Sequence, residues 1–335
     1  MAPFGISRNP LSTLKLNDLS LQGPTTLHRI DIYCDDFLSW DGLSPIFQGL
    51  SPTVVGLSFV PFPSIGICWS QVTRVYALGF SVGACIELIQ HAPLLTDCKF
   101  LDVTSGQEEY PLPHGNTIHT SLNSLFLELD DSKIDTFLHH FSLPSLQELH
   151  LDYGELFNTP PTAALLSFCA RSPLLKKLQL MGSVIKHDSV LVRVLSTTPA
   201  LTHLHIAPHP LADLTLRHSL PRLAESWLVG DDPCQAREHF LPKLQRLHFS
   251  GQLSSDDLSE AFGPLSEITN PHRRPFNQLQ FLWLNHRDNY EASMMKLIPL
   301  KDAGINLKVM DPSFPDKDLL EDYRSNYQQN FPKLF

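Results

Sequence analysis

Residues 173–180 read Pro-Leu-Leu-Lys-Lys-Leu-Gln-Leu, and residues 199–206 read Pro-Ala-Leu-Thr-His-Leu-His-Ile. Both contain the pattern Leu-x-x-Leu-x-Leu, in which apolar residues occupy positions 1, 4 and 6. Positions 4 and 6 alternate with polar residues, as in a short strand with one buried face. A helix would need apolar residues at i, i+3, i+4 and i+7, so position 6 would fall on its wrong side. Each copy therefore predicts one strand that points two side chains into a core.

The pattern recurs along the whole chain at a nearly regular interval. Clear copies begin at Leu11, Leu27, Leu122, Leu146, Leu175, Leu201, Leu244 and Leu279, and looser ones at Val54, Val72, Leu95 and Leu223, with a final strand around Ile305. Twelve steps from first to last give about 24 to 25 residues each, within the 20–29 residues of leucine-rich repeats. The 57 leucines and 27 prolines of the chain fit this pattern. We predict an α/β leucine-rich-repeat solenoid of about 12–13 irregular repeats.

Prolines mark where one repeat ends and the next strand begins, because the residue before a proline avoids the helical region. Pro-x-Leu precedes the pattern at Pro93, Pro144, Pro173, Pro199, Pro221 and Pro242. Helices are predicted over 81–91, 132–141, 162–171, 187–197, 255–262 and 291–303. Such helices, without a regular asparagine after each strand, indicate the ribonuclease-inhibitor-like horseshoe, with parallel strands on the concave face and helices on the convex face. We expect the solenoid over residues 1–310 and a helical cap over 311–335, with its helix at 316–329.

Composition excludes several classes of protein. With 42% hydrophobic and 18% charged residues, the chain is not disordered. A net charge of −10 argues against nucleic acid as the main partner. Neither a signal peptide nor a run of 18 apolar residues is visible, so we expect no membrane partner and an intracellular location, cytoplasmic or nuclear. The six cysteines are scattered without Cys-x-x-Cys pairs, which predicts buried reduced thiols and no zinc site.

The positions that flank the buried leucines predict a binding surface. In a solenoid, positions 3 and 5 of neighbouring repeats form columns on the concave face, and large aromatic residues there are typical anchors of protein interfaces. The predicted partner-binding residues are Phe126, His150, His205, Trp227, His248 and Trp283 at position 5, and His203, Arg246 and Phe281 at position 3. Neighbouring side chains or a loop covering them is the alternative. We expect a protein partner on this face.

A competing motif is Gly79-Phe80-Ser81-Val82-Gly83, which matches the Gly-x-Ser-x-Gly elbow of serine hydrolases. Such an enzyme also needs an acid and then a histidine, for example His272 or His286. In the repeat interpretation these five residues are the turn after a strand, with Ser81 near a helix N-cap. The repeats on both sides do not form a hydrolase sheet, so the hydrolase is the alternative and a protein without catalytic residues the main prediction.

A metal site is the second alternative, since His203, His205 and His209 alternate on one segment. No carboxylate or cysteine is close in sequence, so we expect neither a metal nor a cofactor. No glycine-rich loop that would hold a phosphate is present.

Residues 68–75 (Cys-Trp-Ser-Gln-Val-Thr-Arg-Val), the helix of 81–88 and residues 91–98 (His-Ala-Pro-Leu-Leu-Thr-Asp-Cys) resemble the leucine-rich repeats of the fungal F-box-like protein family. In that family a repeat begins with a motif that contains tryptophan and ends with a Pro-x-Leu motif. The resemblance implies the substrate-binding part of a Skp–cullin ubiquitin-ligase adaptor. Ligase attachment is expected only if an F-box segment precedes this sequence. A repeat scaffold unconnected to ubiquitin is the remaining alternative.

Overall fold

The chain has an α/β fold. A computed structural model describes residues 28–33, 47–60, 62, 65–104, 117–129, 134–154, 162–185, 187–209, 216, 219, 222, 240–251, 278–282, 290–302, 304–311 and 314–330. It divides into two compact units, Met1–Leu143 (unit 1) and Pro144–Phe335 (unit 2). Within the described residues, no helix has the length and apolar character needed to cross a membrane.

Unit 1 contains a parallel sheet whose strands lie side by side in chain order. Its elements are β1 (Arg29–Tyr33), β2 (Val54–Ser58), a 3-10 turn (Trp69–Gln71), β3 (Arg74–Leu78), α1 (Val82–His91), β4 (Asp97–Val103), β5 (Thr117–Ile118), β6 (Ser124–Leu129), α2 (Ile134–His140) and β7 (Phe141–Ser142). Strands β1, β2, β3, β4 and β6 form the sheet. Strands β5 and β7 pair separately, also in parallel.

Unit 2 repeats the arrangement. Its elements are β8 (Glu148–Tyr153), α3 (Thr162–Ala170), β9 (Lys177–Gly182), α4 (Asp188–Ser196), β10 (His203–Pro208), β11 (Arg246–Ser250), β12 (Gln278–Leu282), α5 (Tyr290–Asp302), β13 (Leu307–Asp311), β14 (Phe314–Asp318) and α6 (Leu319–Asn330). Strands β8 to β13 pair in parallel with their chain neighbours, and β14 adds antiparallel to β13.

Alternation along the strands places the leucines in the core, as the sequence predicts. On β9, Leu178 and Leu180 are 1% and 2% exposed, while Lys177 is exposed and Gln179 half-buried. The opposite faces of each strand therefore separate an apolar core from a polar row. This confirms the strand interpretation of the repeat for the strands that the structure describes.

A backbone ladder joins consecutive strands just before each one begins. In unit 1, His28 O accepts the backbone N–H groups of Thr53 and Val54 at 3.2 and 3.0 Å, and the carbonyls of Thr53, Thr73 and Thr96 repeat this with the next strand. In unit 2 the carbonyls of Gln147, Lys176 and Thr202 do the same. Threonine hydroxyls at 53, 73, 96 and 202 each donate a further bond to the carbonyl of the preceding strand. The ladder satisfies buried backbone groups that a strand end would otherwise leave unpaired.

A left-handed residue lies at or near the end of several strands. Phe59, Gly79 and Asp102 in unit 1 have φ values of 55°, 72° and 49°, and Gly182 in unit 2 has 69°. Each lies two residues beyond the last buried residue of its repeat pattern. Phe59 and Gly79 directly follow β2 and β3, whereas Asp102 and Gly182 lie within the last two residues of β4 and β9. Glycine takes this conformation freely, whereas Phe59 and Asp102 pay a conformational cost.

Two predicted repeat copies have the wrong register. Ile30 pairs with Val55 and Ile32 with Leu57, so the copy at Val54 is displaced by two residues. Leu247 pairs with Leu279 and Phe249 with Phe281, which displaces the copy at Leu279 by three. Both stretches are apolar over several consecutive residues, so the pattern fits more than one register.

The strand predicted at Leu223 does not lie between β10 and β11. These two strands pair directly, Leu204 opposite Leu247. Residues 223–228 themselves lie outside the described part of the chain, as do the copy at Leu11 and the helix predicted over 255–262.

The predicted helices are confirmed to within about three residues wherever the structure describes them. The helix predicted over 316–329 begins at Leu319, because Phe314–Asp318 forms β14 first. Lys301 bonds Asp318 at 2.7 Å and Glu321 at 2.6 Å, which ties α5 to the start of α6. The division into residues 1–310 and 311–335 stays a prediction.

Four described cysteines carry free thiols. Cys85, Cys98 and Cys169 are buried, as predicted, and burial raises the pKa of each thiol. Cys68 is exposed, so the prediction is wrong there. Its thiol lies 3.1 Å from Ser70 Oγ, and this hydrogen bond lowers the Cys68 pKa.

Candidate functional site

The polar face of unit 2 is the candidate site. We call it the display face of unit 2 and define it by the position-3 and position-5 residues of β8 to β11: Glu148, Lys177, His203 and Arg246, with His150, Gln179, His205 and His248. Each of these residues alternates with a buried leucine, isoleucine or phenylalanine. The sheet therefore holds their backbones in two straight rows, one from each position.

Two histidine rings stack in the position-5 row. His205 and His248 face each other with ring centroids 4.0 Å apart and an interplanar angle of 17°. Parallel pairing of β10 with β11 puts the two residues opposite each other and makes the contact possible. Ser250 Oγ lies 3.1 Å from His248 Nε2 and helps to hold that ring.

Burial favours the neutral form of both stacked rings. The pKa of His205 falls to about 4, first because burial penalises the charged ring and then because His248 and His150 lie nearby. Burial also lowers the pKa of His248. His205 Nε2 is buried without a hydrogen-bond partner among the described residues. An unpaired buried nitrogen costs free energy unless a ligand atom satisfies it.

The position-3 row carries the charges. Lys177 Nζ bonds Glu148 Oε1 at 2.5 Å, so this pair is internally neutral. His203 Nδ1 lies 2.8 Å from Thr202 Oγ1, and burial, then Arg246 and Lys177, lower its pKa. Arg246 is exposed and forms no ion pair with any residue that the structure describes.

The corresponding face of unit 1 has a different chemistry. Arg29 bonds Asp31 at 2.8 Å, and Lys99 Nζ lies 4.5 Å from the centre of the Phe126 ring. Tyr76 is 43% exposed. Gly56 lies between Asp31 and Tyr76 in the same row, and a side chain there would overlap the Asp31 carboxylate.

The structure places most of the predicted binding residues as expected and corrects one. Residues at the predicted positions are Phe126, His150, His203, His205, Arg246 and His248. Phe281 falls at position 6, in register with the buried Phe249, and not at the position 3 that the sequence predicts. Trp227 and Trp283 lie outside the described residues. The direct pairing of β10 with β11 also removes the place predicted for Trp227 between His205 and His248.

The groups that orient the histidines do not follow from the repeat pattern. Thr202 and Ser250 flank His203 and His248, one and two residues away in the chain. The spacing of Ser250 from His248, two residues along a strand, is the signal that predicts contact on one face. The stack itself depends on the register of two strands separated by a long connection, which no local pattern reveals.

Ser81 begins a helix. Its hydroxyl accepts a hydrogen bond from Ala84 N at 3.2 Å, and it is the N-cap of α1. This confirms the capping interpretation of residues 79–83, with Gly79 in the left-handed turn that follows β3. The histidines that a hydrolase would need, His272 and His286, lie outside the described residues. Among described residues, no group of three or more histidine, cysteine or acidic side chains is arranged to hold a metal ion.

No family model and no curated protein matches this chain. The solved structures similar to this chain include the crystal structure of a Bacteroides fragilis protein determined as a structural-genomics target, with a TM-score of 0.38 and 17% sequence identity. The similarity covers 70% of this chain and 62% of that one. This chain therefore spans less than two thirds of the length of that protein.

Proposed function

We propose that this chain is a leucine-rich-repeat recognition protein that binds another protein through the polar faces of its strands and is not an enzyme. The observation that carries the proposal is the alignment of half-buried rings and polar groups at positions 3 and 5 of consecutive parallel strands. Aligned side chains on a rigid sheet form a preorganised surface, and preorganisation reduces the entropy lost on binding.

Repeat architecture is supported by the backbone ladder as well as by the leucines. Each strand from β1 to β4, and from β8 to β10, presents one carbonyl to two N–H groups of the next strand. This is the regularity expected of a solenoid with stacked repeats, and the horseshoe of about 12–13 repeats is part of the proposal.

The finer proposal is the substrate-binding part of an F-box-type adaptor acting inside the cell, in the cytoplasm or nucleus. Its support is the sequence motif that begins at Cys68 and resembles the repeats of the F-box-like family. Trp69 of that motif is 8% exposed, and its ring centre lies 5.1 Å from that of Phe62. Attachment to a Skp–cullin ligase requires an F-box segment upstream. Affinity capture with and without any coding segment upstream of residue 1 tests this attachment, and recovery of a Skp subunit only when such a segment is included is the expected outcome.

Site-specific photocrosslinking tests the recognition role. p-Benzoylphenylalanine replaces Gln179 on the display face of unit 2, and Arg193, exposed on α4, is the matched control. A second pair in unit 1 is Tyr76 on β3 and Glu87 on α1. We expect the strand positions to yield a discrete adduct from lysate and the helix positions to yield none. Adducts of equal yield from helix and strand positions would contradict the proposal.

A further inference from the structure

The display face of unit 2 differs in charge from the chain as a whole. On β9 to β11 its six residues are Lys177, Gln179, His203, His205, Arg246 and His248, and none is acidic. The whole chain has a net charge of −10. Glu148 on β8 is the acidic member of the face, and it already bonds Lys177. A patch that lacks free carboxylates in an acidic protein is electrostatically suited to an anionic partner.

We infer that this face binds an acidic peptide segment of the partner protein, with a carboxylate held by Arg246 and a backbone N–H of the segment donated to Nε2 of the neighbouring His203. The Thr202 hydroxyl donates to Lys176 O, so His203 Nδ1 donates to Thr202 and Nε2 is the acceptor of the neutral ring. The inference rests on the proposed function and adds the chemistry of the partner. Arg246 is exposed, and its guanidinium presents a fork of donors that matches a carboxylate in bidentate geometry. His203 lies beside it in the same row, on the adjacent strand.

The unsatisfied nitrogen of His205 points to a ligand independently of charge. His205 Nε2 is buried and has no hydrogen-bond partner among the described residues, although the ring is held by its stack on His248. Because the stack already restricts the His205 side chain, a hydrogen bond from a ligand to its unpaired nitrogen costs little further side-chain conformational entropy. In the tautomer that carries the proton on Nε2, this nitrogen donates to a carboxylate or a peptide carbonyl of the bound segment.

A peptide fits these observations better than a nucleic acid. Polyanion binding needs several phosphates neutralised at once, and its strength grows with the number of basic side chains. On this face the charge of Lys177 is offset by Glu148, which leaves Arg246 as the unpaired cation among the residues described here. A peptide segment needs only one or two carboxylates at Arg246, and its other acidic side chains stay in solvent.

Fluorescence polarisation with a fluorescein-labelled decaglutamate peptide tests the inference. We expect decaglutamate to bind the full chain and decaglutamine to bind far more weakly. Arg246→Gln should weaken binding of decaglutamate about tenfold or more, because a charge-assisted hydrogen-bonded pair is lost. Arg74→Gln is the matched control, since Arg74 occupies the same exposed position 3 on β3 of unit 1. It should leave the affinity unchanged.

The NMR chemical shifts of the histidine ring nitrogens give a second measurement, which a general charge effect would not change. We expect decaglutamate to shift the ring signals of His203 and His205. His119, whose two ring nitrogens bond Ala92 O and Leu122 N at 3.0 and 3.2 Å, should stay unchanged. Equal loss of affinity in Arg74→Gln, or equal binding of decaglutamine or of a decathymidine oligonucleotide, would overturn the inference.

The two proposals fail in different ways. Absence of decaglutamate binding together with a specific adduct at position 179 would refute the acidic partner and leave protein recognition standing. Absence of both would refute both.

Discussion

Units 1 and 2 share a backbone plan and differ in what their strands display. Unit 1 places an Arg29–Asp31 ion pair, an exposed Tyr76 and a Lys99–Phe126 contact in its rows. Unit 2 places neutral stacked histidines and an unpaired Arg246. The buried rows and the ladder are the same in both. Alternate side-chain positions on a strand therefore let the core stay constant while the surface varies.

The two units also differ at a left-handed glycine near the end of a strand, where an added side chain would meet different neighbours. At Gly182 in unit 2 an added methyl group would overlap the carbonyl oxygen of Tyr153, whereas at Gly79 in unit 1 it would meet the ring of Phe59. A backbone atom cannot move aside as cheaply as a side chain that is 39% exposed.

We expect Gly182→Ala to lower the free energy of unfolding by about 3 kcal/mol, and Gly79→Ala by about 1–2 kcal/mol. In both variants alanine must adopt a positive φ, which is strained, and in Gly182→Ala the new methyl group also displaces backbone. Urea denaturation measures both. Gly304→Ala is the control in unit 2, since its φ is +91° and nothing lies within 4 Å of an added methyl group. A loss in Gly182→Ala no larger than in Gly304→Ala would show that the turn has room.

Lowering the pH should destabilise the chain through the histidines on the display face of unit 2. The folded-state pKa of His205 is about 4, below its usual 6.5, so protonation favours the unfolded chain. Burial of the neutral ring contributes fully to the free energy of unfolding above pH 6.5, and this contribution is lost as the pH falls toward 4. We expect a loss of roughly 2 kcal/mol at most, because one pKa unit is worth about 1.4 kcal/mol and solvent screens a partly exposed ring.

The variant that checks this pH dependence is His205→Gln, which cannot take up a proton. Its unfolding free energy should vary less between pH 7 and pH 4 than that of the wild type, as followed by urea denaturation at each pH. Thr96→Val, which changes no titratable group, is the control and should keep the wild-type dependence on pH. A profile in His205→Gln identical to the wild type would contradict the assignment.

The smallest expected effect concerns the threonine ladder. Thr96→Val in unit 1 removes the bond from Thr96 Oγ1 to Thr73 O at 3.0 Å and keeps the side-chain shape. We expect a loss of about 1 kcal/mol. Thr202→Val in unit 2 removes the equivalent bond to Lys176 O and also the partner of His203 Nδ1.

Because of that second contact, Thr202→Val should weaken decaglutamate binding, whereas Thr96→Val should not. Denaturation and polarisation together separate the two effects. Equal decaglutamate affinity in both variants would show that Thr202 does not orient His203.

Regular repeats could be predicted from the sequence, and irregular ones could not. The copies at Leu175 and Leu201 contain one apolar residue per required position, so only one register satisfies them. The stretch 279–284 reads Leu-Gln-Phe-Leu-Trp-Leu and satisfies two registers. A shift by an odd number of residues exchanges the two faces, and for this reason Phe281 is in register with the buried Phe249 and not at the predicted position 3.

The candidate site was predictable in its residues and not in its contacts. His150, His203, His205 and His248 follow from the position rule alone. The stack of His205 on His248 follows from the pairing of β10 with β11, which skips the copy predicted at Leu223. That pairing joins residues separated by a long connection, so no local periodicity encodes it.

By itself the sequence determined the class of secondary structure, the buried rows and the places where most helices begin and end, since these depend on local spacing and on proline and capping residues. The tertiary structure decided register where apolar runs are ambiguous, the ladder before each strand and the neutral state of His205. These properties come from neighbours distant in the chain. Burial and the proximity of other rings arise only when the strands have paired.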